Sequence, residues 1–268
     1  MRYLKVLLVL VIVAAAIGGG AAFGLRAGRN KVGTPSVLKP DFFVVTNAMG
    51  IGLFAARVAP GPHVIFFDTG LDPEGRPVDA LLRALGASRD DVTDVFLTHG
   101  HFDHVAGARV LTNARLHLGA PDVPLAAGQI QPDALVPMLL GKVLATPPVT
   151  ANAPMVLPAT FPVGAPSDAG ATKMVKAYPT PGHTPGSYVF LYDGVLIAGD
   201  IMVLKQGRLD PPPRVFNPHP AENEASIKSL KTQLAGEAID IVCTSHGGCT
   251  PKGLGRMLLD ELITRLGG

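Results

Sequence analysis

The sequence predicts an α/β domain in which two β-sheets pack against each other with helices on the outside. Three observations predict it. Strand-like and helical runs alternate through the body of the chain, a pattern that fits layered sheets under helices. Several apolar runs end in a His or Asp followed by a turn, so potential ligands recur at the carboxyl ends of buried strands. Finally, 237 residues follow Lys31, enough for one domain with a sizeable core.

Taken in order, residues 42–47, 51–58 and 63–67 read as strands, the last two joined by the turn Pro60-Gly61-Pro62. Gly50-Ile51-Gly52 lacks the third glycine and the helix start of a nucleotide-binding fingerprint, and reads as a hairpin bend. Residues 77–85 read as a helix, with Pro77 at its start and Gly86 just past its end. A buried strand follows at 92–97. The alternation continues through 105–111, 115–118, 173–178, 188–192 and 221–234, with apolar strands at 195–200 and 239–246 and a closing helix at 251–266. His63 and His117 fall in strand-like runs and read as polar edge residues. His219, just before a helix, reads as part of a solvated loop.

The least regular stretch is 121–166, with ten prolines. Within it, residues 133–145 carry Leu135, Val136, Met138, Leu139, Leu140, Val143 and Leu144, too apolar for a freely solvated helix. It reads either as a helix packed on the body or as a cover that gives the site an apolar wall. A second membrane contact is a third reading.

The densest chemical signal is Thr98-His99-Gly100-His101-Phe102-Asp103-His104, with four potential metal ligands in six positions. From this chain's own His and Asp frequencies, such a pattern arises by chance on the order of once in a few thousand sequences of this length. The glycine after His99 lets the chain turn at the strand end. Alternation along an extended turn would send His99 and His101 one way and Asp103 and His104 another, giving two clusters. Imidazole and carboxylate together suit zinc and its first-row neighbours. Four ligands cannot close two sites, and the chain offers three more. His183 stands in Pro179-Thr180-Pro181-Gly182-His183-Thr184-Pro185-Gly186-Ser187, Asp200 ends the apolar run 195–200, and His246 ends the run 239–246.

Phe67-Asp68-Thr69-Gly70, the His99–His104 motif, His183, Asp200 and His246 together resemble the metallo-β-lactamase superfamily of hydrolases, in order from about residue 42 to 247. The resemblance implies an αββα sandwich with the metals at one edge. It implies that His99, His101 and His183 bind a first metal, that Asp103, His104 and His246 bind a second, and that Asp200 bridges them. Asp68 would brace the metal loop without binding metal. The implied cofactor is two Zn2+ ions per chain, with Fe or Mn as substitutes, and the implied reaction is metal-assisted hydrolysis of a small-molecule ester, lactone, thioester or amide, with Asp103 orienting the nucleophile or accepting its proton. Three other functions stay open: a β-lactamase, a mononuclear iron persulfide dioxygenase using His99, His183 and Asp200, and a non-catalytic metal-binding scaffold. Only 22 residues follow His246, which disfavours hydroxyacylglutathione hydrolases with their further domain. Ile201, Met202 and Val203 after Asp200 replace the Tyr of N-acyl homoserine lactonases, and His101 replaces the Glu of the diiron flavoproteins. No G-x-S-x-G elbow offers a serine nucleophile.

The chain divides into a leader, 1–31, and a hydrolase body, 32–268. Residues 6–25 form a twenty-residue run without charge, preceded by Arg2 and Lys5 and followed by Arg26, Arg29 and Lys31. As a helix it would be about 30 Å long, matching a bilayer's hydrocarbon core. A retained anchor is favoured over a cleaved signal peptide with small residues at 20–22, with a buried helix as the third reading; basic residues flank both sides of the run, and the body is expected outside the cytoplasm. Five of the 23 basic residues and none of the 21 acidic ones precede residue 32, so the body carries a formal charge of −3. That gives nucleic acid no electrostatic attraction, and the expected partners are a small-molecule substrate and a membrane. The two cysteines, Cys243 and Cys249, are too few for a disulfide framework and read as unpaired.

Overall fold

The computed structural model describes residues 31–47, 50–58, 61–163 and 173–268. The leader prediction therefore lies outside the described residues, apart from Lys31. Among the described residues, no helix is long and apolar enough to cross a membrane.

Two sheets form the core. The first holds seven strands in chain order: β1 (Ser36–Lys39), β2 (Phe42–Thr46), β3 (Gly52–Arg57), β4 (Val64–Phe67), β5 (Val92–Phe96), β6 (Arg115–Gly119) and β7 (Ala153–Met155). It is antiparallel from β1 to β4 and parallel from β4 to β7. The second comprises β8 (Ala159–Val163), β9 (Lys173–Pro179), β10 (Tyr188–Tyr192), β11 (Val195–Ile197), β14 (Ile241–Thr244) and β15 (Gly248–Cys249), in the order β15-β14-β11-β10-β9-β8. Its one parallel pair is β11 with β14. A short ribbon of β12 (Val203–Lys205) and β13 (Arg208–Asp210) stands apart.

Period-two side-chain alternation makes the layers. Phe54, Ile65, Phe67 and Phe96 of the first sheet meet Tyr188, Phe190, Tyr192 and Ile197 of the second between the sheets. Phe67 stacks on Phe96 at 5.6 Å and meets Phe190 at 5.9 Å. On the other face, Leu53, Val64, Phe66 and Val95 pack against Val78, Leu81 and Leu85 of α1 (Arg76–Leu85). Both faces of β4 are thus covered, which is why Val64-Ile65-Phe66-Phe67 is a continuous apolar run. The second sheet's outer face packs on α5 (Pro220–Gln233) and α6 (Gly255–Arg265) through Leu196 and Val242 against Ile227, Leu230, Leu259 and Leu262. The result is the expected αββα sandwich. The remaining helices α2 (Phe102–Val105), α3 (Val123–Ala126) and α4 (Leu135–Leu144) follow the ends of β5, β6 and the segment beyond.

Several local expectations need correction. Gly86 ends α1 in the left-handed conformation as expected, but the last helix begins at Gly255 rather than 251, because the amides of Gly253 and Gly255 both bond to the Asp240 carbonyl. His117 is no edge residue: β6 lies between β5 and β7, and the buried imidazole stacks on Phe96 at 4.6 Å and bonds Asp94 at 2.7 Å. His63 precedes β4 instead of lying in it. Cys243 and Cys249 form a disulfide, since β14 and β15 pair with these residues directly opposite each other. That register brings the two sulfurs together across a tight turn.

Candidate metal centre

Asp68 follows β4 with φ of 54°, in the left-handed region that Asp tolerates better than most residues. Its fully buried carboxylate accepts the Thr98 amide at 2.7 Å and the Thr98 hydroxyl at 2.8 Å, and pairs with His104 Nδ1 at 2.8 Å. Asp68 thereby ties the end of β4 to the loop after β5 and turns the far nitrogen of His104 toward the cavity.

In that loop His101 is extended, with φ −68° and ψ 148°, and α2 starts at Phe102. Asp103 and His104 therefore leave from a helical turn, not from the extended chain expected. The change from extended to helical backbone separates the two pairs of ligands.

The second sheet supplies the rest. His183 lies in the loop between β9 and β10, closed by the Thr180 amide on the Ser187 carbonyl at 2.8 Å. Asp200 follows β11 after Gly199, whose φ of 56° and approach to Thr98 leave no room for a Cβ. His246 sits in the turn between β14 and β15 and is bridged to Ile51.

All seven predicted ligands converge. His99 Nε2, His101 Nδ1 and His183 Nε2 face one another at 2.9, 3.1 and 3.2 Å. A tetrahedral ion with metal–nitrogen bonds of about 2.0–2.1 Å requires nitrogens about 3.3 Å apart, so this trio fits one. Asp103, His104 and His246 form a second group, with His246 Nε2 at 3.5 Å from Asp103. Asp200 stands between the groups, its carboxylate oxygens 3.5 Å from His104, 3.3 Å from His246 and 3.7 Å from His183. His104 Nε2 and Asp200 Oδ1 are buried without any hydrogen-bond partner. Such atoms are costly unless something else satisfies them, and a cation does so.

The electrostatics differ between the two groups. Burial lowers the pKa of all three first-group imidazoles, that of His101 to about 4 and that of His183 to about 3, which keeps each ring neutral with one nitrogen free to bind. His246 is pushed up to about 10 by the Asp200 carboxylate. Burial opposes ionisation of Asp200, but His246 and His104 more than offset it and hold its pKa well below the usual carboxylate range. The first group is a neutral donor set and the second a charge-compensated one.

Asp122 went unpredicted. Its buried carboxylate accepts the Gly100 amide at 2.7 Å, the Gly186 amide at 2.7 Å and the Thr184 hydroxyl at 2.6 Å, bracing the His99–His101 and His183 loops together. A Cβ on Gly100 or Gly186 would collide with Asp122, which explains a glycine beside each of these ligands. The available signal was an Asp shortly after a buried strand, as at Asp200.

Five of the ligands, His101, Asp103, His183, Asp200 and His246, floor a cavity of about 360 Å³. Its walls are apolar: Ile51, Leu71, Phe102, Leu140, Met202 and Phe216. Helix α4 contributes Pro137 and Leu140, so it does cover the metal edge as well as packing on the body. Met138 instead lines a separate cavity with Gly100 and Leu125, and Leu139 is exposed. His219 lies in an exposed loop, 3.5 Å from Asp133, and does not reach the ligands.

Comparison with known proteins bears on the family and the fold. A family model described as "Metallo-beta-lactamase superfamily" matches residues 57–246. The "Probable metallo-hydrolase YybB" of Bacillus subtilis (strain 168) is 30% identical over 203 residues, covering 71% of this chain and 78% of that one. Among solved structures, a β-lactamase from Chitinophaga pinensis aligns with a TM-score of 0.64 at 20% identity, over 89% of this chain and 92% of that one. The subclass B3 metallo-β-lactamase BJP-1 of Bradyrhizobium japonicum aligns with a TM-score of 0.62 at 20% identity, over 90% and 92%. Identity that low speaks for the shared fold alone.

Proposed function

This chain belongs to the metallo-β-lactamase superfamily, and from that premise we propose that it is a membrane-anchored, extracytoplasmic hydrolase with two zinc ions that cleaves an ester, lactone, thioester or amide bond of a small uncharged molecule. The observation that carries this reading is the convergence of the seven ligands at the foot of an apolar cavity lined by Asp200, with two buried ligand atoms, His104 Nε2 and Asp200 Oδ1, 3.5 Å apart and without a hydrogen bond. His99, His101 and His183 would hold one ion and Asp103, His104 and His246 the other, with Asp200 between them. Bound there, the ions would supply hydroxide at neutral pH and polarise the scissile carbonyl.

The chain's own groups do the positioning. Asp103 lines the cavity with its carboxylate held near His246, where it can orient a water or take its proton. Ile51, Leu71, Phe102 and Leu140 exclude bulk water and receive the apolar part of a substrate. Among the described residues, no Lys or Arg lines the cavity. A carboxylate-bearing substrate such as a β-lactam would find no Lys or Arg there, which ranks the β-lactamase reading second. The uncharged run 6–25 supports anchoring.

The test is metal analysis of the purified protein with a turnover screen on esters, lactones, thioesters, amides and β-lactams. Two ions per chain are expected, with turnover of neutral esters, lactones or thioesters above that of β-lactams. His101→Ala and Asp103→Ala should abolish that turnover while the circular dichroism spectrum is kept. A single ion that added metal cannot raise, or near-normal turnover in either variant, would overturn the assignment.

A further inference from the structure

We infer that the face carrying the cavity mouth rests on the bilayer that holds residues 6–25, so that substrate enters the cavity from the lipid. The inference rests on the anchoring reading above and adds an orientation to it.

The first support is where the leader joins the body. Val32 bridges to Asn47, and the Gly33 amide bonds the Thr46 carbonyl at 2.8 Å. Asn47 Oδ1 accepts the Ile51 amide at 3.0 Å, and Ile51 both lines the cavity and bridges to His246. The chain thus enters the body beside the site. The seven steps from residue 25 to residue 32 span at most about 25 Å. A body of this size is about 45 Å across. A tether shorter than the body keeps the face next to Val32 within about 25 Å of the membrane and turned toward it.

The second support is the surface around the mouth. Single exposed apolar residues need no explanation, but clustered ones do. Leu135 is 56% exposed, Leu139 38%, Val215 59% and Phe216 39%. They fall in the two segments that build the cavity wall, α4 with Pro137 and Leu140, and the loop with Pro212, Pro213 and Phe216. The contact of Asp133 with His219 ties the approaches to these segments together. Lys142 and Arg214, both exposed, lie in the same segments, where cations suit the phosphates of lipid headgroups. An apolar rim with flanking cations around an apolar cavity is the surface chemistry of an interfacial enzyme.

The chain contains no Trp, so any introduced one reports on its own position. Full-length Leu139→Trp, Val215→Trp and Met257→Trp variants would be reconstituted in phosphatidylcholine/phosphatidylglycerol vesicles, with and without brominated acyl chains, and floated on a density gradient. Met257 is 47% exposed and belongs to α6, which starts beside Asp240, at the end of β14 away from His246. The expected result is that all three float, that bromolipid quenches Leu139→Trp and Val215→Trp at least twofold, and that Met257→Trp is unaffected. Floating chains with all three positions quenched equally, or none, overturn the docking and leave the anchor standing. Chains that stay at the bottom of the gradient overturn both. Blue-shifted, concentration-dependent emission at Leu139→Trp without quenching would show a second copy covering the patch, and would also overturn the inference.

Discussion

His104 is gripped by Asp68 at 2.8 Å through Nδ1, which leaves Nε2 as the nitrogen that faces Asp200. A carboxylate only accepts, so Nδ1 carries the hydrogen and the imidazole is fixed in both tautomer and angle.

Asp68→Asn should therefore lower zinc affinity about 10–100-fold, the usual cost of losing a partner behind a metal-binding imidazole. The asparagine keeps the shape but replaces one acceptor with a donor facing Thr98 or His104. Competition with a chromogenic chelator measures it. Unchanged affinity would mean that Asp68 serves only the fold.

Chelation should lower the melting temperature, because His99, His101 and His183 converge as buried, unprotonated nitrogens. Ligand at about 100 times its dissociation constant stabilises the folded state by about 2.7 kcal/mol. Scans with excess chelator and after zinc replenishment should show a drop and a full recovery. A melting curve indifferent to both would speak against bound metal.

Acid should act separately on Asp94. Burial raises its pKa, but hydrogen bonds from His117 and Arg115 outweigh this and leave it lowered. A folded pKa below the unfolded value of about 3.9 means stabilisation that is complete above that pH and lost as pH falls through the folded value. The stability gap between wild type and Asp94→Asn should then shrink below about pH 4. Denaturant titrations of both proteins at pH 7 and pH 3 test this, with metal loss common to the two. A gap that stays constant would remove Asp94 as the cause.

Leu140→Ala should weaken turnover of long-acyl esters more than short ones, since each buried methylene contributes about 0.8 kcal/mol and Leu140 lines the cavity. The ratio of kcat/KM between the two chain lengths is the measurement. Equal losses would place Leu140 in packing alone.

The site's ligands were legible because His99, Asp200 and His246 follow apolar runs, His101, Asp103 and His104 cluster just beyond the first of them, and His183 stands in a Pro- and Gly-rich turn, signals that survive in one dimension. The orientation of α4 was not, since Leu135 to Leu140 is apolar throughout and offers no periodic face. Nothing in the pattern singles out Pro137 and Leu140, which form the wall. Asp122 carries no spacing signal, because its three donors come from loops distant in sequence. The cysteine pairing depended on β15, a strand of two residues that no pattern marks. The strands of the β12–β13 ribbon, three residues each, are nearly as short and are partly exposed.

Neither sheet holds a complete set of ligands. His99, His101, Asp103 and His104 follow the first sheet's β5, whereas His183, Asp200 and His246 belong to loops of the second. An ion held there would be a rivet through the seam between the two layers, and parting them at that edge would set it free. Zinc appearing in solution would then clock the opening of this one seam, and comparing its rate with global unfolding would tell whether the sandwich comes apart first at its working edge or elsewhere.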